Sequence, residues 1–196
     1  MKLIRLAAAL CIALAAAACL PVTTKAPVGS SASLGADKSF YGTWMGHGEK
    51  DSSPAYIHFL NAKDGGLTIV IVSPPKGDDA GDWSVYAAST ADLGGNHFLN
   101  VRTISNNGEV PGAGEMKGTF PLLYRTGKDG SVTLYMMDED ATADAIKNGK
   151  IAGERDAGKD GDVHITATAA ATDAFMQSPQ GVALFNKPLL TLTRVK

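Results

Sequence analysis

The chain has 196 residues, 44% of them apolar, with 18 Lys and Arg against 20 Asp and Glu. That length suits one domain with a real hydrophobic core, and the lack of any basic block excludes nucleic acid and anionic headgroups as partners recognised by charge. Both cysteines, Cys11 and Cys19, fall near the start, so whatever folds downstream has neither a disulfide nor a thiol.

In chain order the first element is an export signal. Lys2 and Arg5 precede an apolar run from Leu6 to Ala18, and small residues stand before Cys19. This pattern predicts a secretory signal over residues 1–18. The run is shorter than the ~20 residues a membrane-spanning helix needs. Ala16-Ala17-Ala18-Cys19 resembles the lipobox of bacterial lipoproteins, which implies cleavage before Cys19 and acylation of its thiol. Ala stands where that motif more often has Leu, and ordinary Ala-x-Ala cleavage with an incidental Cys19 is the alternative reading. Cys11 is a poor competitor because bulky Leu10 precedes it. Leu20 follows the cysteine, and the resemblance to enterobacterial lipoproteins implies the periplasmic face of the outer membrane. Stable attachment takes two membrane signals at ~0.8 kcal/mol per buried methylene, which a multiply acylated cysteine supplies. Without Lys2 and Arg5 the remaining formal charge is −4.

Residues 19–37 read as a flexible tether. Pro21, Pro27, Gly29, Gly35 and the Ser30-Ser31-Ala32-Ser33 cluster offer little to bury. Residues 38–196 form the folded domain, with no internal repeat and no second boundary.

That domain is predicted to be mainly β, with about nine short strands separated by turn signals. Strands are expected at 40–48, 55–61, 67–73, 83–90, 97–103, 118–125, 131–137, 162–168 and 189–195. Lys63-Asp64-Gly65-Gly66, Leu93-Gly94-Gly95-Asn96 and Lys128-Asp129-Gly130 mark hairpin turns. Ile57 and Phe59 share a face opposite Tyr56 and His58, as period-2 alternation requires. The strands at 67–73 and 131–137 are apolar on both faces, so a covering layer is expected outside them. Two helical insertions come near the C-terminal end. One is capped by Asp138 and stopped by Gly149, with Glu139 and Asp140 at its positive end. The other joins a turn capped by Thr172 to a second turn opened by Ser178 and Pro179. Antiparallel hairpins in series favour a closed barrel of about 8–9 strands.

Gly42-Thr43-Trp44, at the start of the first strand, resembles the Gly-x-Trp signature of lipocalin-like barrels. The resemblance implies that Trp44 closes one barrel end beneath an Arg from the last strand. Arg194 is placed for this, on the same face as Leu190 and Leu192, and a guanidinium over an indole contributes ~0.5–2 kcal/mol. The chain is also similar to small proteobacterial lipoproteins, a likeness that implies no activity.

Candidate chemistry is sparse. His47, His58, His97 and His164 form no metal-ligand spacing; parity sets His58 and His164 outward and His97 inward at a barrel end. Asp156, Asp160 and Asp162 with Gly158 and Gly161 depart from the Asp-x-Asp-x-Asp-Gly loop, and a solvated turn is the simpler reading. Asp78, Asp79 and Asp82 lie in a Pro/Gly loop and read as solvated. There is no nucleophile elbow, phosphate loop or dinucleotide fingerprint. No catalytic residue, cofactor or metal is therefore expected, and enzymatic activity has no support. Tyr86, His97 and Tyr124 are expected to line a pocket mouth at the end opposite Trp44. The expected function is a lipid-anchored binding or envelope-interaction module, taking an apolar or amphipathic small ligand or an envelope protein. The alternatives are a structural envelope protein with a filled barrel, or a hydrolase of envelope material. Fold alone does not choose among them.

Overall fold

The computed structural model describes residues 22–47, 54–75, 80–112, 118–157 and 161–196. The signal segment, Cys19, Asp78, Asp79, Gly158 and Asp160 lie outside these. Eight antiparallel strands close into a barrel: β2 (Gly42–His47), β3 (Ala55–Asn61), β4 (Leu67–Ser73), β5 (Asp82–Leu93), β6 (Asn96–Asn106), β7 (Phe120–Thr126), β8 (Val132–Met136) and β11 (Lys187–Arg194). They follow one another around the wall, and β11 pairs with both β8 and β2 to complete it. A smaller sheet outside the barrel has the order β1 (Thr23–Thr24), β10 (Val163–Ile165), β9 (Gly153–Arg155). The strand expected at 162–168 therefore belongs to this outer sheet and is shorter than its alternation suggested.

Three short helices fill the excursion between β8 and β11: α1 (Glu139–Lys147), α2 (Ala169–Gln177) and α3 (Pro179–Ala183). Asp138 caps α1 by accepting from Ala141 N at 2.9 Å, and Ser178 caps α3. Thr168, not Thr172, caps α2. Ala169-Ala170-Ala171 are strong helix formers and carry the helix further back, which leaves Thr172 buried inside it.

The barrel interior is apolar. Ile57, Phe59, Leu67, Leu99, Leu122 and Leu192 are among its buried side chains. Trp44 closes one end. The Arg194 guanidinium lies over its ring at 4.4 Å from the centroid, and the two residues are register partners. Arg194 also donates to the carbonyls of Ser39 and, at 2.7 Å, Tyr41, while Trp44 Nε1 donates to Phe40 O at 2.6 Å. Residues 38–40 form a 3₁₀ turn that crosses this end and drops Phe40 into the core. The glycine of Gly-x-Trp has a local reason: at Gly42 φ is +120°, and a Cβ there would stand 2.9 Å from Arg194 Nη1. The arrangement is consistent with a lipocalin-like barrel.

A second core lies outside the wall. Phe98 and Leu123 point outward from β6 and β7 and meet Val22, Val28, Val163, Ile165, Met176 and Phe185. The stretch expected to be a free tether is therefore docked from Val22 to Ala36. Its reasons are polar as well as apolar. Asn100, buried on the outer face of β6, accepts from Val28 N at 2.8 Å and donates to Val28 O at 2.9 Å. Asp173 of α2, also buried, accepts from Gly29 N at 2.6 Å, Ser31 N at 2.9 Å and the Ser31 hydroxyl. Gly35 and Thr90 exchange backbone hydrogen bonds. The covering layer thus sits over β6–β8. The outer face of β4 is left open, and Val72 is exposed there between its register neighbours Tyr56 and Trp83.

Two outcomes test this architecture. Arg194→Ala removes the ring contact and both carbonyl bonds, and should lower stability by about 1–2 kcal/mol; an unchanged urea midpoint contradicts the closure. Asp173→Ala leaves the buried Gly29 N–H without an acceptor and frees the Ser31 N–H, costing about 1–3 kcal/mol. Amide exchange at Gly29 and Ser31 should accelerate in that variant, and unchanged protection contradicts the docking role.

Candidate functional site

The first candidate is the barrel interior. A void remains among Ile57, Phe59, Ile69, Tyr86, Phe120 and Leu190, with a volume of about 30 Å³. Holding one water takes roughly 10–15 Å³ on this measure, and a benzene-sized guest needs a cavity on the order of 150 Å³. Among the described residues, side chains leave little free space inside the barrel. A wider, open cleft of about 280 Å³ lies on the outer wall between the docked N-terminal segment and the β3–β4 turn. Leu34, Gly35, Asp64, Ala87 and Arg102 border it.

The three residues expected at an open mouth do not meet there. In an up-and-down barrel successive turns alternate between ends. The β3–β4, β5–β6 and β7–β8 turns therefore share the end where β2 begins and β11 stops. His97 follows one of these turns and Tyr124 precedes another, so both stand at the end closed by Trp44. Tyr124 meets Phe40 edge-on at 5.0 Å and stacks with His97 at 5.3 Å. Tyr86 lies apart from them, buried and edge-on to Phe120 at 6.3 Å. Chain direction, read strand by strand, was the signal for this placement; side-chain parity alone does not carry it.

The closed end holds a small polar group. Tyr124 donates to Asp37 Oδ2 at 2.9 Å, and exposed His97 contacts Asp92. Burial, aided by the Asp37 carboxylate, pushes the Tyr124 phenol well above its ordinary range. Both influences favour the neutral phenol, which donates to the Asp37 carboxylate. Burial is the strongest single influence on Asp37 and pushes it up, but the hydrogen bonds from Ser39 and Tyr124 outweigh it and hold the carboxyl below its usual range. This end is built as a lid.

His164 keeps its expected parity, alternating with Val163 and Ile165 of the outer core, but it is buried instead of facing solvent. Its Nδ1 lies 2.6 Å from Thr23 Oγ1, and Asp156 and Asp162 approach its other side. Asn100 and Asp173 were not singled out by sequence reasoning. Their signal was there: Asn100 is the lone polar residue in Phe98-Leu99-Asn100-Val101, and Asp173 the lone charge in Ala171-Thr172-Asp173-Ala174.

Comparison with known proteins adds no relative: no family model, no curated protein and no solved structure matches the chain. Among the described residues no helix is long and apolar enough to cross a membrane.

The lid and the α1 cap make stability pH-dependent. Asp138 is held below the usual carboxylate range, first by the Ala141 backbone hydrogen bond and then, against burial, by Lys187. Asp37 is lowered as well. A carboxyl whose folded value is depressed contributes stability above its unfolded value, and loses it as pH falls through the folded one. The unfolding midpoint should therefore drop on acidification below about pH 4. The Asp37→Asn/Asp138→Asn double variant should show a flatter dependence in that range. Parallel curves for variant and parent contradict the assignment.

Proposed function

We propose that this chain is a lipid-anchored envelope protein, acylated at Cys19, whose barrel is a filled scaffold that acts through its outer surface. The observation that carries this reading is the interior void of about 30 Å³, far below the ~300–1,000 Å³ of small-molecule pockets. A carrier of an apolar ligand needs room inside; this barrel has spent that room on Phe59, Tyr86, Phe120 and their neighbours. The lid of Trp44, Arg194 and the 3₁₀ turn seals one end as well.

The anchor part of the proposal rests on the Ala16-Ala17-Ala18-Cys19 pattern, and the docked segment sharpens it. Val22 is buried, so only Leu20 and Pro21 separate the acylated cysteine from the core. Fully extended, the chain from Cys19 to Val22 spans about 10 Å. The domain is then held against the bilayer surface instead of swinging on a long leash, and the surface beside Val22 faces the membrane. Leu20 supports the outer membrane as the location.

The test has two arms. Cys19→Ser should lose labelled palmitate and leave the membrane fraction, whereas continued labelling contradicts the anchor. An environment-sensitive apolar dye titrated into the folded protein should show no saturable binding. One-to-one binding displaced by an envelope lipid extract contradicts the filled scaffold and returns the carrier reading.

A further inference from the structure

We propose that Asp156, Asp162 and His164 form a binding site for a divalent transition-metal ion of the Zn²⁺ class. The turn between β9 and β10 brings the three together. Asp156 N donates to Asp162 O at 2.8 Å, which sets the two aspartates opposite each other. His164 is two residues beyond Asp162 and shares its face by strand parity. Gly161 makes the close approach feasible, since a Cβ there would lie 2.1 Å from Asp156 O. One ligand atom from each of the three side chains lies within 4.8 Å of the others.

The histidine supplies the independent pointer to a ligand. Its exposure is 8%, and its buried Nε2 makes no hydrogen bond. That atom faces Asp156 Oδ2 at 3.6 Å, beyond hydrogen-bonding range. A buried polar atom left in this state is destabilising. On the other side of the ring, Nδ1 is engaged by the Thr23 hydroxyl at 2.6 Å. With its proton on Nδ1 and donated to Thr23, the imidazole aims the Nε2 lone pair at two carboxylates. A dication among the three would accept a ligand atom from each and match the two carboxylate charges.

The dimensions fit such an ion. Zinc–nitrogen and zinc–oxygen bonds of about 2.0–2.2 Å set neighbouring tetrahedral ligands roughly 3.3–3.5 Å apart, so the 3.6 Å pair is nearly in place and the third ligand, within 4.8 Å, closes by side-chain rotation. Water would fill the remaining position. An imidazole donor favours zinc and its neighbours, whereas Ca²⁺ wants six to eight oxygens. Thr23 orients the imidazole from behind, as partners of ligating histidines commonly do. The nearby cation Arg155 is already balanced, paired with Glu139 at 2.6 Å and Asp140 at 3.2 Å on α1. The spacing of Asp156, Asp160 and Asp162 hid the site, because its third ligand comes from the following strand and not from the loop. Occupancy would tie that hairpin more firmly to β1, three residues from which the proposed anchor lies.

The experiment uses the full-length protein, stripped with a chelator and titrated with Zn²⁺ alone by calorimetry and by thermal unfolding. The expected result is saturable binding of one Zn²⁺ with a rise in Tm, and no such effect from Ca²⁺ at equal concentration. Asp156→Asn/Asp162→Asn should weaken Zn²⁺ binding by more than about tenfold while the metal-free protein still unfolds cooperatively. His164→Gln should do the same, and wild-type His164 ring nitrogens should shift on Zn²⁺ addition in NMR. Absence of saturable Zn²⁺ binding to the wild type overturns the proposal and leaves a histidine–aspartate ion pair. Binding that survives in the double-Asn variant overturns it too, by placing the ion elsewhere. The anchor and scaffold reading does not enter this test.

Discussion

A sheet wall that is apolar on both faces governs this molecule. Along β6 and β7, Leu99, Val101 and Leu122 fill the barrel while Phe98 and Leu123 point away from it. Left bare, the outward residues would expose a broad apolar surface to water, so the chain must supply a second layer. It does so with the excursion between β8 and β11 and with the segment before the barrel. Phe98 meets Phe185 edge-on at 5.5 Å, and Val28 lies flat against Asn100. Asn100 is a buried polar side chain on that part of the wall, and it serves both hydrogen-bonding groups of Val28.

The two cores explain why the N-terminal segment is ordered despite its composition. Val22 and Val28 alone would add only about 1.5–3 kcal/mol each on burial, and ordering each residue costs about 1–2 kcal/mol. Asp173 tips the balance by accepting from Gly29 and twice from Ser31. The same residues that made this stretch resemble a linker, serine and glycine, are the ones whose small size and free N–H groups let it lie against α2. Under the anchor proposal this shortens the link to the membrane and gives the domain a fixed underside. It also turns β1 into a meeting point, because Thr23 touches both the barrel's outer layer and the His164 ring.

Much of the barrel was legible in the residues because antiparallel hairpins carry their signals locally. Asp64-Gly65-Gly66 and Asp129-Gly130 name the turns, and Ile57 against Tyr56 names the faces. The pairing of Trp44 with Arg194 came from the Gly-x-Trp resemblance, with parity at the last strand placing Arg194, although the two are far apart in sequence. Other features were not local. Val28 finds Asn100 and Gly29 finds Asp173 only after the chain has gone around the barrel. Alternation set His164 opposite Val163 and Ile165, but not its burial, which comes with Thr23 from a distant segment and with Asp156 and Asp162 beside the ring. Tyr124 and His97 were given to the wrong end because a strand's direction, not its composition, decides which end a residue reaches.

The dependence of the outer core on the docked segment is measured most directly by comparing two chains, one beginning at Val22 and one at Asp37, in equilibrium urea unfolding. Loss of Val22 and Val28 together with the partners of Asp173 and Asn100 should lower stability by at least about 3 kcal/mol and expose the wall of Phe98 and Leu123 to an apolar dye. Equal midpoints for the two chains, with no new dye binding, would contradict the account and restore residues 22–36 as a tether.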